Sequence, residues 1–314
     1  MSSYNGKKGA FNISGLPGVS DVYQVTTTSE TAGPKTFWDK WFKPHSNAFT
    51  SLITAEAALT GGINEVIMLS PESHSLASML TWDVSNSALI GQAPEAAMMN
   101  QRVRLGMSAN FATMMTVSGN GNLFKNLYFM HGRGSATNLN CLTVSGDRNV
   151  FENCNFSGPQ HATEGGTAGY DLIRLSGAEE TMFKRCVFGT HNTAATTFTG
   201  IEFQSTAGTA IFDDCIFFCA GGANNVFLKF DAGIGIGAAI FRNCQFINIG
   251  TAMTLGMDGS GLNNYKVILA NSDFTGATDV VAAAYEGHVL SAGGSAYRGA
   301  DEVNSIMVPF DHTA

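Results

Sequence analysis

Apolar positions recur along the middle of the chain in the pattern Phe-x-x-Cys-x-Phe. It stands as Phe151, Cys154 and Phe156; as Phe183, Cys186 and Phe188; as Phe212, Cys215 and Phe217; and as Phe241, Cys244 and Phe246. A degenerate copy precedes these, Phe124-Lys125-Asn126-Leu127-Tyr128-Phe129, and another follows from Leu269 to Phe274. The copies start at 124, 151, 183, 212, 241 and 269, which gives periods of 27, 32, 29, 29 and 28 residues. Before each copy runs a short alternating apolar stretch ended by Gly or a small polar residue, at 115–119, 142–146, 172–177, 201–206, 226–231 and 252–256. Alternation of that length reads as a strand followed by a turn. Each period therefore holds at least two short strands. No segment in this region sustains a 3.6-residue period, so the repeat predicts a β-solenoid over a helical one.

The motif has a steric reading. Cys and the second Phe share strand parity, whereas the first Phe, three residues before Cys, does not. A bend between them brings all three to the same side. The third motif position supplies it with Asn126, Asn153, Asp214, Asn243 and Asn271, residues that tolerate the left-handed conformation; Arg185 is the exception. Phe, Cys and Phe then point inward around a corner, and stacking the coils gives a column Leu127, Cys154, Cys186, Cys215, Cys244, Ser272. The second motif position, Lys125, Glu152, Lys184, Asp213, Arg242, alternates in sign from coil to coil, as exposed neighbours on adjacent strands should.

Composition narrows the function. Only 13% of the 314 residues are charged, with a net charge of −8, 44% hydrophobic residues and 36 Gly. A typical soluble domain is about 25% charged. The apolar content excludes a disordered acidic tail. The acidic balance gives no nucleic-acid footprint, and no apolar run reaches membrane-span length. The first residues show no apolar leader, so no signal peptide is expected. Six Cys are too few for a disulfide scaffold and are expected as free buried thiols.

These repeats resemble the right-handed parallel β-helix (pectin-lyase-like) superfamily, which includes phage virion proteins such as tailspikes and head-associated β-helix proteins. The resemblance covers residues 60–300 and implies an all-β, single-stranded right-handed parallel β-helix with an N-terminal capping helix and an extended N-terminal arm. The expected divisions are an arm with an aromatic docking segment (1–45), cap helix and first coils (46–107), a β-helix of about 29-residue coils (108–300) and a C-terminal tail or cap (301–314). The helix is expected over 48–59, with Phe49, Leu52, Ile53 and Ala57 on one face and Glu56 breaking its amphipathicity. Strands are expected at 65–70 and 89–91. Residues 1–35, rich in Gly, Ser and Thr, read either as a loose terminus or as an anchoring arm that orders on a partner. Leu16 and Val19 in that arm, and Trp38, Trp41 and Phe42 after it, are the candidate docking residues; the plainer reading of the aromatic cluster is cap packing.

The search for chemistry finds no assignable catalytic set. Asp213-Asp214 sits at corner positions and reads as solvated. Glu202, between Ile201 and Phe203, should face outward, and Asp171 could share that face one coil earlier. Sparse Lys and Arg argue against a lyase. His131, His161 and His191 are spaced 30 and 30 apart, but their offsets from the preceding Phe differ, and no metal or cofactor is assigned. The sequence reading is therefore a structural phage virion protein, a capsid decoration or cement protein on the head surface. It is expected to be homotrimeric, with the major capsid protein or other virion proteins as partners. The alternative is a tailspike-like polysaccharide-binding or polysaccharide-degrading β-helix protein.

Overall fold

A computed structural model describes residues 22–26, 48–62, 64–93, 103–189, 197–204, 207–292 and 297–298. The chain winds as a right-handed parallel β-helix. Among the described residues three sheets of eleven, nine and seven strands form its faces, and their strands pair in parallel from coil to coil. One coil shows the order: Asn140–Val144 in the seven-stranded sheet, Val150–Glu152 in the eleven-stranded sheet, then Asn155–Ser157 in the nine-stranded sheet. Each coil thus holds three strands where the alternating stretches and motif required at least two.

The corner between the last two strands is the repeated motif. All six third-position residues adopt positive φ, from Asn126 (59°) through Asn153, Arg185, Asp214 and Asn243 to Asn271 (50°). Arg185 does so as well (52°), although it lacks the short polar side chain that favours this region. The side chains at this corner form a ladder in which Asn153 Nδ2 donates to Asn126 Oδ1 (2.8 Å) and Asn243 Nδ2 to Asp214 Oδ1 (3.1 Å). The bend turns the two Phe residues of each copy inward. Phe124, Phe151, Phe183, Phe212 and Phe241 stack with centroids 4.6–4.9 Å apart. Phe129, Phe156, Phe188, Phe217, Phe246 and Phe274 form a second stack. The two stacks meet edge-on, as at Phe183 and Phe188, the arrangement that ring quadrupoles favour.

The six cysteines are buried thiols. Four sit in the predicted column, and each donates to the carbonyl of the first motif Phe one coil earlier; Cys186 Sγ lies 3.3 Å from Phe151 O. Ser272 makes the equivalent bond to Phe241 O at 3.2 Å. The charged column is also in register, Lys125 beside Glu152, Glu152 beside Lys184, Lys184 beside Asp213 and Asp213 beside Arg242.

At the other inward corner, Asn122 and Asn149 are fully buried and hold adjacent coils together. Asn149 Nδ2 donates to Gly119 O and Gly146 O, both at 2.9 Å, while its Oδ1 accepts from Asn122 N at 3.0 Å. Coils pack so closely here that a Cβ on Gly146 would lie 2.1 Å from Gly119 O.

The ends differ from expectation. The helix is shorter, Leu52–Glu56, because Ala48–Phe49 instead forms a strand beside Val22–Val25 at the edge of the eleven-stranded sheet. Its buried side chains are Leu52 and Ala55, while Ala57 is exposed. Val22–Val25, inside the segment read as an arm, is a buried strand paired with Val66–Leu69. Glu65 fastens this end: it accepts from Tyr23 Oη, Thr60 N and Gly61 N, each at 2.8 Å. The stretch 252–256 does not form a sixth equivalent strand. Met253–Leu255 pairs with Ala277–Asp279 in a separate two-stranded sheet, and Met257–Asp258 continues the seven-stranded one. Leu16, Val19, Trp38, Trp41, Phe42, His191 and residues 301–314 lie outside the described residues.

Candidate functional site

On the outer face of the seven-stranded sheet, four charged side chains from neighbouring coils meet. In each of the sheet's central strands the register steps over one buried residue, Cys141, Leu172, Gly200 and Phe227 in turn. Both strands of a pair step over a residue at the same level, so the pairing offset is unchanged; two successive residues are buried there, as Leu172 and Ile173, and residues three apart share the outer face. Asp171 and Arg174 are brought together that way, which a flat strand forbids. Arg174 is in register with Glu202, and Glu202 with Lys229.

Arg174 bridges the two carboxylates. Its Nη2 donates to Asp171 Oδ2 and its Nε to Glu202 Oε2, both at 2.6 Å. Lys229 Nζ donates to Glu202 Oε1 and also lies 3.4 Å from Asp231. The carboxylates are buried, whereas Arg174 and Lys229 are partly open to solvent.

Burial separates the acidities of the two carboxyls. Desolvation, reinforced by the charge of Glu202, pushes Asp171 up to about 7, against the pull of Arg174 and Lys229. Burial also raises Glu202, but the hydrogen bond from Lys229 and the charge of Arg174 outweigh it and hold this carboxyl below the usual range. One carboxyl therefore carries a proton near neutrality while its neighbour is ionised, the division of labour that acid–base pairs use. Asp171 Oδ1 is buried and has no hydrogen-bond partner, so one acceptor of the protonatable group is unspent.

The sequence puts Glu202 outward and allows Asp171 to share that face without fixing the alignment; the structure brings the two together through Arg174, with both carboxylates buried. The sequence reading missed Arg174 and Lys229. Their sparsity counted against chemistry, yet these two stand beside the paired carboxyls. The signal that could have found them is the motif register itself: Arg174, Glu202 and Lys229 each immediately follow an inward apolar residue, Ile173, Ile201 and Leu228. Asp213 and Asp214 do not pair with each other; they bond to Arg242 and to Asn243 at the corner.

Of the regularly spaced histidines, the structure describes His131 and His161. His131 is fully buried, its Nδ1 3.1 Å from Tyr170 Oη, and burial lowers it to about 4. His161 is exposed, and its Nδ1 accepts from Thr163 N at the start of Ala162–Gly165. Among the described residues no three His, Cys, Asp or Glu side chains converge as a metal site. No described helix is long and apolar enough to cross a membrane.

No family model matches the sequence, and no curated protein matches it. Solved structures do match the fold. The pectin methylesterase of Aspergillus niger superposes with a TM-score of 0.57 at 14% identity, over 90% of this chain and 87% of that one. Pectin methylesterase PemA of Erwinia chrysanthemi gives 0.51 at 15% identity, over 86% and 80%. ORF18 of Geobacillus virus E2 overlaps at 0.36 and 11% identity, over 78% and 56%, a likeness too slight to carry an argument. At these identities the comparisons establish the parallel β-helix fold.

Proposed function

We propose that this chain is a polysaccharide-degrading β-helix protein that works by acid–base chemistry on the outer face of its seven-stranded sheet. The observation that carries this is the Asp171–Arg174–Glu202–Lys229 group. Its protonated carboxyl and ionised carboxylate are held on one guanidinium, and two cations at the surface can meet an incoming sugar. In this reading Asp171 donates the proton to the departing oxygen. A water attacks the carbonyl of the sugar's ester side group and gives its proton to Glu202, so that an acid and an alcohol are formed, while Arg174 and Lys229 stabilise the oxyanion that develops. Arg174 sits between the carboxyls, where an inverting glycosidase would need room for a water. That favours hydrolysis of a side group over inverting hydrolysis of the backbone. The fold likeness to two pectin methylesterases is consistent with this assignment.

The test is an assay of the purified chain on pectins and capsular polysaccharides, following alcohol release, unsaturated products and reducing ends. Activity should fall by at least about 10²-fold in Asp171→Asn and Glu202→Gln, with the fold retained by circular dichroism. Full activity in either variant would overturn the role of that carboxyl. No turnover of any substrate by the wild type would overturn the reading.

The alternative of a capsid decoration protein, trimeric and seated on the major capsid protein, is carried by residues 1–45, of which 22–26 are described. Its test is co-purification with intact particles. Removing residues 1–35 would delete the buried strand Val22–Val25, so the informative truncation stops at residue 20. Particle binding that survives this truncation would sink the arm as an anchor.

A further inference from the structure

A second outward face of the β-helix carries a pattern that the proposed chemistry does not use. On the eleven-stranded sheet Leu123, Val150, Met182, Ile211, Ile240 and Ile268 follow one another in register, one per coil. Leu290 ends the row and is 37% exposed. The next residue of each strand, Phe151 or Phe183 for instance, is fully buried, so the row faces outward by alternation. The other members of the row are partly exposed. An outward column of the seven-stranded sheet is polar by contrast, with Thr116, Thr143, Arg174, Glu202 and Lys229 in register. The unbroken apolar row is therefore a property of this face and not of the repeat.

Two residues further along each strand stands the charged column, Lys125, Glu152, Lys184, Asp213 and Arg242, followed by Ala270. Its alternation of sign decides how a second copy can lie on this face. A two-fold axis parallel to the strands sets each column on its own counterpart and reverses the order of the coils. Placed between the coils of Lys184 and Asp213, that axis makes Lys184 face the second copy's Asp213, and Glu152 the second copy's Arg242. Met182 then meets Ile211, Val150 meets Ile240 and Leu123 meets Ile268. Shifting the axis by half a coil sets Glu152 on Asp213 and Lys125 on Arg242, like on like, which is unfavourable. The charges thus admit every second register and reject those between. Asp213 already pairs with Arg242 along the chain at 3.3 Å, so the second copy extends an existing ladder into a network.

We propose that this face binds a second copy of the chain, antiparallel, about the two-fold axis between Lys184 and Asp213. Six coils overlap in this register, a length of about 29 Å, and strands of about five residues give a width of about 16 Å. The pair therefore buries on the order of 1,000 Å² in total, the size at which a specific interface begins. The face lies on a different sheet from Asp171, Arg174, Glu202 and Lys229. Pairing leaves that site open and does not depend on the activity proposed for it.

The experiment is analytical ultracentrifugation of the full chain from about 1 to about 100 μM, the range in which a dimer of this size dissociates. The mass should double as concentration rises. Ile211→Lys, at the centre of the row, should leave a monomer. Asp213→Lys sets two lysines against each other at both symmetric contacts and should weaken pairing at least about tenfold. Adding Lys184→Asp to it should restore pairing, because each exchanged side chain again faces its opposite; a variant weakened by misfolding would not recover. Circular dichroism checks that each variant is folded. A monomer throughout the range would overturn the proposal, as would a dimer indifferent to Ile211→Lys or a double variant no stronger than Asp213→Lys. A trimer, or a dimer that forms only once residues 1–20 are removed, would assign the face to another occupant and overturn it as well.

Discussion

The thiol of Cys215 donates to the carbonyl oxygen of Phe183, 3.4 Å away and one coil earlier. Phe183 lies in the strand Thr181–Lys184, two residues before the left-handed corner, and the same thiol also reaches Asp213 O at 3.4 Å. Burial pushes the thiols of Cys186 and Cys215 well up, so they stay protonated donors. Cys215→Ala should cost about 1–3 kcal/mol by removing a buried thiol together with its hydrogen bond. Cys215→Ser should cost less, since Ser272 already makes this bond naturally. Urea midpoints of the two variants check the order, and an alanine variant as stable as the serine one would contradict it.

Arg185 interrupts the corner ladder. It holds φ of 52° without a short polar side chain, in return for an ion pair with Glu152. Glu152 keeps Lys125 at 3.3 Å when Arg185 is replaced. Arg185→Asn should therefore stabilise the chain by about 1 kcal/mol, because relief of backbone strain exceeds the loss of an exposed pair. The melting temperature should rise; a fall would show that the pair outweighs the strain.

Stability should decline from mildly acidic to mildly alkaline pH. Asp171 and Glu56 are both raised to about 7 in the folded chain, Glu56 by burial and then by the charge of Asp83. The folded state therefore binds these protons more tightly than the unfolded state. Their contribution is full below the ordinary carboxylate range and is lost as pH rises through about 7. Glu202 shifts the opposite way, but above about pH 5 it is ionised in both states and adds no slope. Urea midpoints measured between about pH 5 and about pH 8 should fall, and Glu56→Gln and Asp171→Asn should each flatten the decline. A flat wild-type profile would refute the assignment.

Close stacking should show in glycine substitutions. Gly146→Ala drives a Cβ into the backbone of Gly119 and Ser118, which cannot yield, whereas a Cβ on Gly222 meets nothing within 4 Å. The first change should cost about 3 kcal/mol and the second almost nothing. Comparable midpoints for the two would mean that the coils can separate more freely than the hydrogen bonds of Asn149 imply.

Most of the β-helix was legible because each coil solves the same problem with the same residues. A Phe, a left-handed residue, a Cys and a Phe are enough to give the corner, both aromatic stacks and the charged register. The site was less legible. Facing of Glu202 follows from simple alternation, but the meeting of Asp171 with Arg174 depends on a break in that alternation at Cys141, Leu172, Gly200 and Phe227, which share no side-chain type. The cap was misjudged at Ala48 and Phe49, where pairing with Gln24 and Val25 overrides local helix preference; nothing in the local sequence discloses a partner strand so far away.

The strand pairing also sets how the molecule bears load. Each ladder ties a residue to its counterpart one coil away, as Phe212 to Phe241, and no strand of the repeat reaches past its neighbours. Force applied along the axis therefore meets one coil at a time. Tension on the last coil should peel the chain in steps of a coil's length, each step releasing two rings from the aromatic stacks.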